Sequence, residues 1–395
     1  MIHRIEVENY GSIREAQVLD LALPATTPAM DRFVPSHGDP SVRLPTVVAF
    51  FGPNAAGKST VLRAVVSTIE FVVRSFQLAP DASISHFAPF RSAAWAMRPT
   101  WITIDFDAEW LGGKANVFRY HLELANGERW AERVLVESLL VRQGQRFRAL
   151  FRRDERGLRC AAELNLPPSD SRLKAVRANA SVISTMAQLN HDWFRTIWGR
   201  IAPTPTNIAG TQPVKPDITL ALQYFYKDRA SFDALRARIA RLDLGIKDIV
   251  IEKTNVGLVA YFIHEGLEQP IFLSEESNGT QRFVAIFPLI WYTLCEGRPA
   301  LIDEFDVDLH PLLVPEILNW FQDPEVNQNK SQLFLAAHNV SIMDHLEKEE
   351  IFLVEKSRDG ASSITALRDI KGVRREPSLQ RKYLGGAFGA IPNIG

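Results

Sequence analysis

A glycine-rich stretch near the amino terminus has the composition of a phosphate-binding loop. Residues 52–60 read Gly-Pro-Asn-Ala-Ala-Gly-Lys-Ser-Thr and match the pattern G-x-x-x-x-G-K-[S/T]. Glycines let the backbone curl around an anion, and the amides point into that curl beside the positive end of the following helix. Lys58 can reach the β- and γ-phosphates of ATP, and the Ser59 hydroxyl is a suitable Mg²⁺ ligand. The predicted nucleotide-binding residues are Asn54, Ala55, Ala56, Gly57, Lys58, Ser59 and Thr60.

Two adjacent acids further along the chain can supply the other half of an ATP-hydrolysing site. Asp303 and Glu304 directly follow a short apolar run, residues 300–302. Asp303 is predicted to hold Mg²⁺, directly or through water, and Glu304 to polarise the attacking water. An apolar run followed by Asp-Glu is common by itself, so this assignment depends on the phosphate loop. Most of the chain separates Lys58 from Asp303, which requires a large insertion between the two halves.

Three more residues are candidates for contacts with the nucleotide. Ser277 and Gly279 precede a long apolar run, residues 283–295, and a Ser-x-Gly ahead of a helix can form an anion-binding nest. The alternative is a simple helix cap formed by Ser277 or Asn278. His338 follows the apolar run 333–337, where it is expected at the sheet edge that collects ligands in open α/β folds. A lone His at a strand end is usually structural, but this position makes a γ-phosphate contact the favoured prediction.

The segments around these residues predict an α/β fold of the P-loop NTPase class, divided by a helical insertion. Residues 47–51 form a continuous apolar run, as in a buried parallel strand, and helical periodicity follows the loop. Residues 100–160 are β-rich, residues 173–242 have a helical pattern, and strands and helices alternate again from residue 249. The predicted domains are 1–160, an amino-terminal lobe with the phosphate loop and a β-rich arm, 161–245, a helical insertion, and 246–395, a carboxyl-terminal lobe.

Composition is that of an ordinary globular protein. The 395 residues include 45 basic and 46 acidic side chains, for a net charge of −1, and 46% are apolar. A neutral total argues against a surface coated by nucleic acid. The two distant cysteines, Cys160 and Cys295, exclude a disulfide framework and fit a reducing compartment. Because no apolar run reaches the length of a membrane span, we expect a cytoplasmic protein that does not engage the membrane.

One stretch of the chain is strongly basic. Seven arginines lie between Arg142 and Arg159, diluted only by Asp154 and Glu155. If this stretch is β-structured, its arginines are candidates for contacts with nucleic-acid phosphates or with an acidic partner. A solvated hairpin is the alternative, and it is the favoured one.

The order of these elements resembles a known group of ATPases. It is similar to the ABC-type heads of the SMC and RecF group and, more closely, to the AAA-annotated, ABC-like ATPases of bacterial phage defence and abortive infection, relatives of the overcoming-lysogenisation-defect ATPases. Nearly the whole chain takes part in the resemblance. The matching segments are the opening strand and turn at 5–13, the E-S-x-G-T element at 276–281, the I-D-E-x-x-x-x-L-H-P element at 302–311 and the closing Y-L-x-G-x-F/Y-G-A-I-P element at 383–392.

The resemblance implies an ATPase in which two heads associate head to tail and sandwich two nucleotides. Ser277 and Gly279 would then contact the γ-phosphate bound by the other copy, and His338 would be the switch histidine beside its own nucleotide. Two features depart from the pattern. Asn339 stands where many relatives carry Asp, and the sequence contains no convincing Q-loop glutamine, with the region 89–91 as a weak substitute.

Three functions follow from the residues and the resemblance, and the first is favoured. It is an ATP-hydrolysing sensor or scaffold subunit of an antiphage system that controls a partner effector encoded nearby, such as a nuclease. The second is a DNA-repair ATPase of the RecF/SMC kind that binds DNA through residues 142–159. The third is an assembly scaffold that binds ATP and in which turnover is incidental.

Overall fold

The chain combines strands and helices, as the α/β prediction requires, with five strands before the first α-helix and five more between the first and the second. The computed structural model describes residues 1–110, 113–210, 212–241, 245–255, 257–373 and 378–390. Within these residues the strands are β1 (Ile2–Glu8), β2 (Gln17–Asp20), β3 (Phe33–Pro35), β4 (Arg43–Pro45), β5 (Val47–Phe51), β6 (Thr100–Glu109), β7 (Ala115–Asn126), β8 (Ala131–Gln143), β9 (Arg146–Asp154), β10 (Gly157–Cys160), β11 (Ile208–Ala209), β12 (Gln212–Pro213), β13 (Ile246–Thr254), β14 (Gly257–His264), β15 (Ile271–Phe272), β16 (Pro299–Ile302), β17 (Gln332–Ala336), β18 (Ile351–Lys356) and β19 (Ser362–Ala366).

Eight α-helices and several short 3₁₀ turns accompany these strands in the described part of the chain. The α-helices are α1 (Lys58–Arg74), α2 (Val182–Gln188), α3 (Asp192–Ile201), α4 (Ile218–Lys227), α5 (Arg229–Ile239), α6 (Asn278–Glu296), α7 (Leu313–Gln322) and α8 (Leu379–Leu384). The 3₁₀ turns are Ser75–Gln77, Ala162–Leu164, Ser171–Ala175, Leu273–Glu275, Val340–His345 and Leu367–Asp369. None of the described helices combines the length and the apolarity that a bilayer crossing requires.

A five-stranded sheet holds the phosphate loop at its centre. Its strand order is β16-β17-β5-β18-β19, in which the first four strands run parallel and β19 is antiparallel at the edge. All five residues of β5 are buried, because both faces of the sheet are covered. Val48 and Phe50 enter one hydrophobic core, whereas Val47, Ala49 and Phe51 enter the other. The carboxyl ends of β5, β17 and β16 therefore meet at one sheet edge, where the predicted site residues follow them.

A seven-stranded antiparallel sheet forms the β-rich arm and covers α1. Its order is β10-β9-β8-β7-β6-β1-β2. Alternate residues such as Ile102, Ile104 and Phe118 join the first core together with Val61 and Val65 of α1. This alternation is the period-2 pattern that predicted strands over residues 100–160.

The helices of the predicted insertion divide between the two cores. Helices α2 and α3 bury Met186, Phe194 and other side chains in the first core, beside α1. Helices α4 and α5 bury Phe225 and Leu235 in the second core, with α6 and the three-stranded antiparallel sheet β13-β14-β15. The segment is mostly helical, as its pattern predicted, and its two helix pairs pack against different parts of the head. The domain limits at residues 160 and 245 stay a prediction.

Candidate functional site

The loop between β5 and α1 has the backbone of an anion cradle. Gly52 and Gly57 have φ of 153° and 112°, and Ala55 adopts a left-handed φ of 63°. A Cβ at Gly57 would lie 2.3 Å from the Ser362 hydroxyl oxygen and 2.7 Å from that of Ser12, so only glycine fits there. The loop amides thus precede the first turn of α1, where the helix dipole favours a bound phosphate.

Lys58 is the first residue of α1, and its side chain folds back over the loop. Its Nζ donates to the carbonyl oxygens of Gly52 at 2.8 Å and Pro53 at 3.2 Å. Burial lowers the pKa of Lys58, and the carboxylates of Asp303 and Asp306 oppose that effect. A phosphate in the cradle would offer this buried ammonium a stronger acceptor than two neutral carbonyls.

Ser59 and Asp303 come together across the sheet edge. The Ser59 hydroxyl donates to Asp303 Oδ1 at 2.9 Å, and the amide of Glu304 donates to the same oxygen at 3.1 Å. Asp303 is 1% exposed, and its Oδ2 is buried without a hydrogen-bond partner. A buried carboxylate oxygen without a donor is costly unless a cation or water binds it. The hydroxyl and the free carboxylate oxygen are hard ligands of the kind that Mg²⁺ prefers, so these residues fit the ion.

Asn207 holds the backbone of Asp303, and no sequence motif identified it. Its Nδ2 donates to the carbonyl oxygen of Asp303 at 2.8 Å, and its Oδ1 accepts from the amide of Asp303 at 2.8 Å. The preceding residues run along the edge of β16, where Thr206 pairs with Leu301 in a parallel bridge. The link between the two helix pairs of the insertion thus fixes the position of the acid.

Glu304 projects from a turn with unusual backbone geometry. It is exposed, has φ of 51°, and lines the cavity above the phosphate loop. A left-handed conformation at a non-glycine residue is uncommon and occurs often at functional sites. Glu304 therefore stands beside Ser59 and Asp303 with its carboxylate accessible to a water in that cavity.

His338 lines the same cavity as Glu304 and contacts the phosphate loop. Its Nδ1 is 3.0 Å from Asn54 Oδ1, a distance at which a protonated Nδ1 donates to the amide oxygen. Its main-chain amide donates to the two carboxylate oxygens of Asp306 at 3.1 and 3.0 Å, which anchors the strand end. Asn339 caps the following 3₁₀ turn, since its Oδ1 accepts from the Ser341 amide at 3.0 Å.

The cavity that these residues share has a volume of about 850 Å³. Besides the phosphate loop, Glu304 and His338, its lining includes residues that sequence reasoning did not identify. Gln212, in β12 between α3 and α4, is one of them. Several basic or aromatic side chains also line the cavity and provide positive charge and aromatic rings, namely Arg63, His86, Phe90, Arg91, Arg129, Trp130 and Lys356.

The Ser-x-Gly element lies outside this cavity in the single chain. Ser277 is exposed and caps α6, because its Oγ accepts from the Thr280 amide at 3.2 Å. The Cα of Gly279 packs so closely that a Cβ there would lie 3.2 Å from the carbonyl oxygen of Asp308. The capping role considered from the sequence is therefore present, and the chain does not bring Ser277 or Gly279 to its own phosphate loop. Their contact with a nucleotide stays a prediction.

The arginines of residues 142–159 do not form one free basic stripe. Most of them pair with an acid: Arg142 with Asp39, Arg148 with Glu163, Arg152 and Arg159 with Asp154, and Arg153 with Glu137. Arg153 also donates to the carbonyl oxygens of Arg177 and Ala180, inside the fold. The sequence could not reveal the pairs with Asp39 and Glu163, because these acids lie on other segments.

The closing segment folds back onto the five-stranded sheet. The Tyr383 hydroxyl donates to the carbonyl oxygen of Ala390, and the Ala390 amide donates to Glu355 Oε1 at the end of β18. The last two residues of the matched element, 391 and 392, lie outside the described residues.

Comparison with known proteins establishes the family. Residues 47–344 match the family described as "AAA domain, putative AbiEii toxin, Type IV TA system". This match covers more than half of the chain and contains the phosphate loop, the acid pair and His338. The chain therefore belongs to this family of AAA-type ATPase domains, and the predicted relationship to ABC/AAA-like ATPases is confirmed.

Two solved structures are similar in fold at low sequence identity. The SMC head domain from Thermotoga maritima is 13% identical, with 92% of this chain and 98% of that chain covered and a TM-score of 0.44. The Smc head domain from Pyrococcus furiosus, with an extended coiled coil and bound to the C-terminal domain of ScpA, is 13% identical, with coverages of 92% and 95% and a TM-score of 0.47. No curated protein matches the chain at a significant level.

Proposed function

We propose that this chain is a cytoplasmic ATPase that binds Mg²⁺-ATP in the cavity above the phosphate loop and hydrolyses it. The observation that carries the proposal is the contact between Ser59 and Asp303, which leaves Asp303 Oδ2 buried and without a donor beside Glu304. This arrangement supplies a hydroxyl and a carboxylate for a metal ion and a second carboxylate for a water. A phosphate cradle with both features has the parts that phosphoryl transfer to water requires.

Each site residue has a role that its position supports. The loop amides and Lys58 hold the phosphates, while Ser59 and Asp303 hold Mg²⁺. When bound, Mg²⁺ would offset the charge of the β- and γ-phosphates. Glu304 accepts a hydrogen bond from the attacking water and orients it. The main-chain amide of His338 is held by Asp306. When nucleotide binds, the His338 ring exchanges its contact with Asn54 for a hydrogen bond donated to the γ-phosphate.

A second copy of the chain completes the site in this proposal. Ser277 is exposed at the start of α6 and lies away from the cavity of its own chain. A head-to-tail pair would bring Ser277 and Gly279 of one copy over the phosphate loop of the other. The free amides at the start of α6 would then face the γ-phosphate, where a helix amino terminus stabilises negative charge.

The biological role that we propose is that of a sensor or scaffold subunit in an antiphage system. The description of the family, which names a type IV toxin-antitoxin system, supports this context. The chain would control a partner effector, such as a nuclease, encoded beside it. The test is co-purification with the products of neighbouring genes, together with phage challenge of cells that carry wild-type protein or Lys58→Ala. Protection that is unaffected by Lys58→Ala would contradict an ATP-dependent role.

The DNA-repair alternative finds no support in the arginine stretch, because most of those arginines already pair with acids. Salt-dependent DNA binding by the purified chain would revive it.

Glu304→Gln separates hydrolysis from simple binding. The amide keeps the size of the side chain but accepts a weaker hydrogen bond from water, so we expect ATP binding to persist and turnover to fall at least about a hundredfold. Glu325→Gln, at an exposed turn, is the matched control and should leave turnover unchanged. If Glu304→Gln retains full phage protection, ATP acts as an assembly ligand and turnover is incidental. If it retains wild-type turnover, Glu304 is not the residue that orients the water.

A further inference from the structure

Arg282 is a buried cation without adequate partners. It lies in the second turn of α6 and is 9% exposed. Its Nε and Nη1 are buried and have no hydrogen-bond partner. Desolvation of an unpaired guanidinium is costly, and buried donors in folded proteins almost always find acceptors. The position therefore calls for an explanation beyond packing.

The charges that face Arg282 belong to the loop after β16. Burial lowers the pKa of Arg282, and the carboxylates of Asp308 and Glu304 act against that effect. Neither acid forms an ion pair with Arg282 among the described residues, and Asp308 pairs instead with the exposed Lys215 at 3.1 Å. The Nε and Nη1 of Arg282 thus have no acceptor on this loop in the single chain.

The same loop touches the start of α6. A Cβ at Gly279 would lie 3.2 Å from the carbonyl oxygen of Asp308 and 3.6 Å from the amide nitrogen of His310. Glu304 and Asp308 both adopt left-handed φ, at 51° and 64°. A loop with two such residues is held by its surroundings, so a small movement of α6 would change its preferred conformation. Arg282 follows Gly279 by three residues, so it lies on the face of α6 that packs against this loop.

We propose that Arg282 is a positioning residue that couples the Ser277-x-Gly279 element to Glu304. In the single chain its Nε and Nη1 have no acceptor. A phosphate held by a second copy binds at the start of α6 and shifts the helix slightly. Arg282 then donates to the carboxylates of Glu304 and Asp308, and this contact fixes Glu304 for catalysis. This inference rests on the proposed ATPase function, and it adds a requirement that Glu304 be aligned only after the two copies meet.

The test is steady-state ATP turnover of full-length Arg282→Met and Arg282→Lys beside wild type. Methionine fills similar volume without charge, so R282M should fold at least as stably as wild type, because it removes an unpaired buried cation. We expect R282M to lower kcat by about 10- to 100-fold, the usual cost of a misaligned catalytic group, with KM and ATP affinity unchanged within about twofold. R282K should recover part of the loss. Arg298→Met is the control. Arg298 lies just after α6 and has a buried, unpartnered Nε, but its guanidinium donates to the carbonyl oxygen of Arg200 and pairs with Glu296. R298M should leave kcat unchanged.

The outcomes separate this inference from the function on which it rests. Wild type without ATP turnover overturns both. Wild-type turnover that is abolished by Glu304→Gln but unaffected by R282M overturns the positioning role alone. The positioning role is also overturned if R298M lowers kcat as much as R282M does. It is likewise overturned if R282M lowers the melting temperature or weakens ATP binding together with kcat, because an arginine with a merely structural role would behave that way.

Discussion

Asn207→Ala tests how the acid pair is held at the sheet edge. The wild-type side chain is 6% exposed and makes two hydrogen bonds of 2.8 Å, one to the amide and one to the carbonyl oxygen of Asp303. Alanine removes both bonds and leaves two buried backbone groups of Asp303 without partners. The mutation therefore perturbs the position of Asp303 without altering the carboxylate itself.

The expected cost follows from those two bonds. Each contributes about 1 kcal/mol net, and stranding a buried backbone group costs about 1–3 kcal/mol, so we expect a loss of about 2–4 kcal/mol in the free energy of unfolding. Movement of Asp303 also displaces the oxygen that accepts from Ser59. We therefore expect the Mg²⁺ concentration for half-maximal turnover to rise and kcat/KM to fall by about 10- to 100-fold.

The assay compares Asn207→Ala with Asn179→Ala by urea unfolding and by ATP turnover across a Mg²⁺ titration. Asn179 is 1% exposed and makes two bonds to backbone carbonyls, those of Ala79 and Ala82 at 2.7 and 2.9 Å, and none of these residues lines the cavity above the phosphate loop. Both variants should lose similar stability, and only Asn207→Ala should lose Mg²⁺ affinity and turnover. If the two variants retain equal turnover and Mg²⁺ dependence, the reasoning about Asn207 is refuted.

Three further predictions concern Lys58, Asp306 and Glu350. Lys58→Ala removes the buried ammonium of the phosphate loop, so a fluorescent ATP analogue should bind about 10- to 100-fold more weakly. Unchanged affinity for the analogue would argue against the loop as the phosphate site. Asp306→Ala removes the carboxylate that accepts from the His338 amide at 3.0 Å. We expect kcat to fall about tenfold while ATP affinity in the same binding assay stays constant. An equal loss of kcat and of ATP affinity would point to general unfolding. Burial raises the pKa of Glu350 from 4.5 to about 7, although the charge of Arg32 opposes this rise. The stability that the protonated Glu350 carboxyl contributes is therefore fully present below about pH 4.5 and is lost as the pH rises through about 7. Glu350→Gln should therefore lose less stability than wild type between about pH 5 and 8 in urea unfolding, and parallel pH profiles would contradict this.

The phosphate loop and the acid pair were predictable because their signals are local. An apolar run, glycines at fixed offsets and a helical period occupy neighbouring residues around Lys58, and the structure forms β5, the loop and α1 there. Asp303 and His338 each follow an apolar run, and parallel strands place their carboxyl ends together. The sequence thus indicated which residues meet at the sheet edge.

The contacts that tie this edge to the rest of the head were not predictable. Asn207 reaches Asp303 from an irregular segment, flanked by prolines at 203 and 205, that has no period of its own. Its role depends on that segment lying along β16, and a single sequence carries no signal for such pairing. Similarly, a helical pattern shows that α2 and α4 have a buried face, but it does not show that they enter different cores.

A mixing experiment tests the composite ATP site most directly. Lys58→Ala disables the phosphate loop of one chain, and Ser277→Asp disables the other half, since aspartate still caps α6 but repels a phosphate. Each variant alone should be inactive. In an equimolar mixture about half of the head-to-tail pairs contain one chain of each variant, and each of these mixed pairs has one intact site out of two. The mixture should therefore recover about a quarter of the wild-type turnover. A mixture as inactive as its components, or full activity of Ser277→Asp alone, would contradict a site built from two copies.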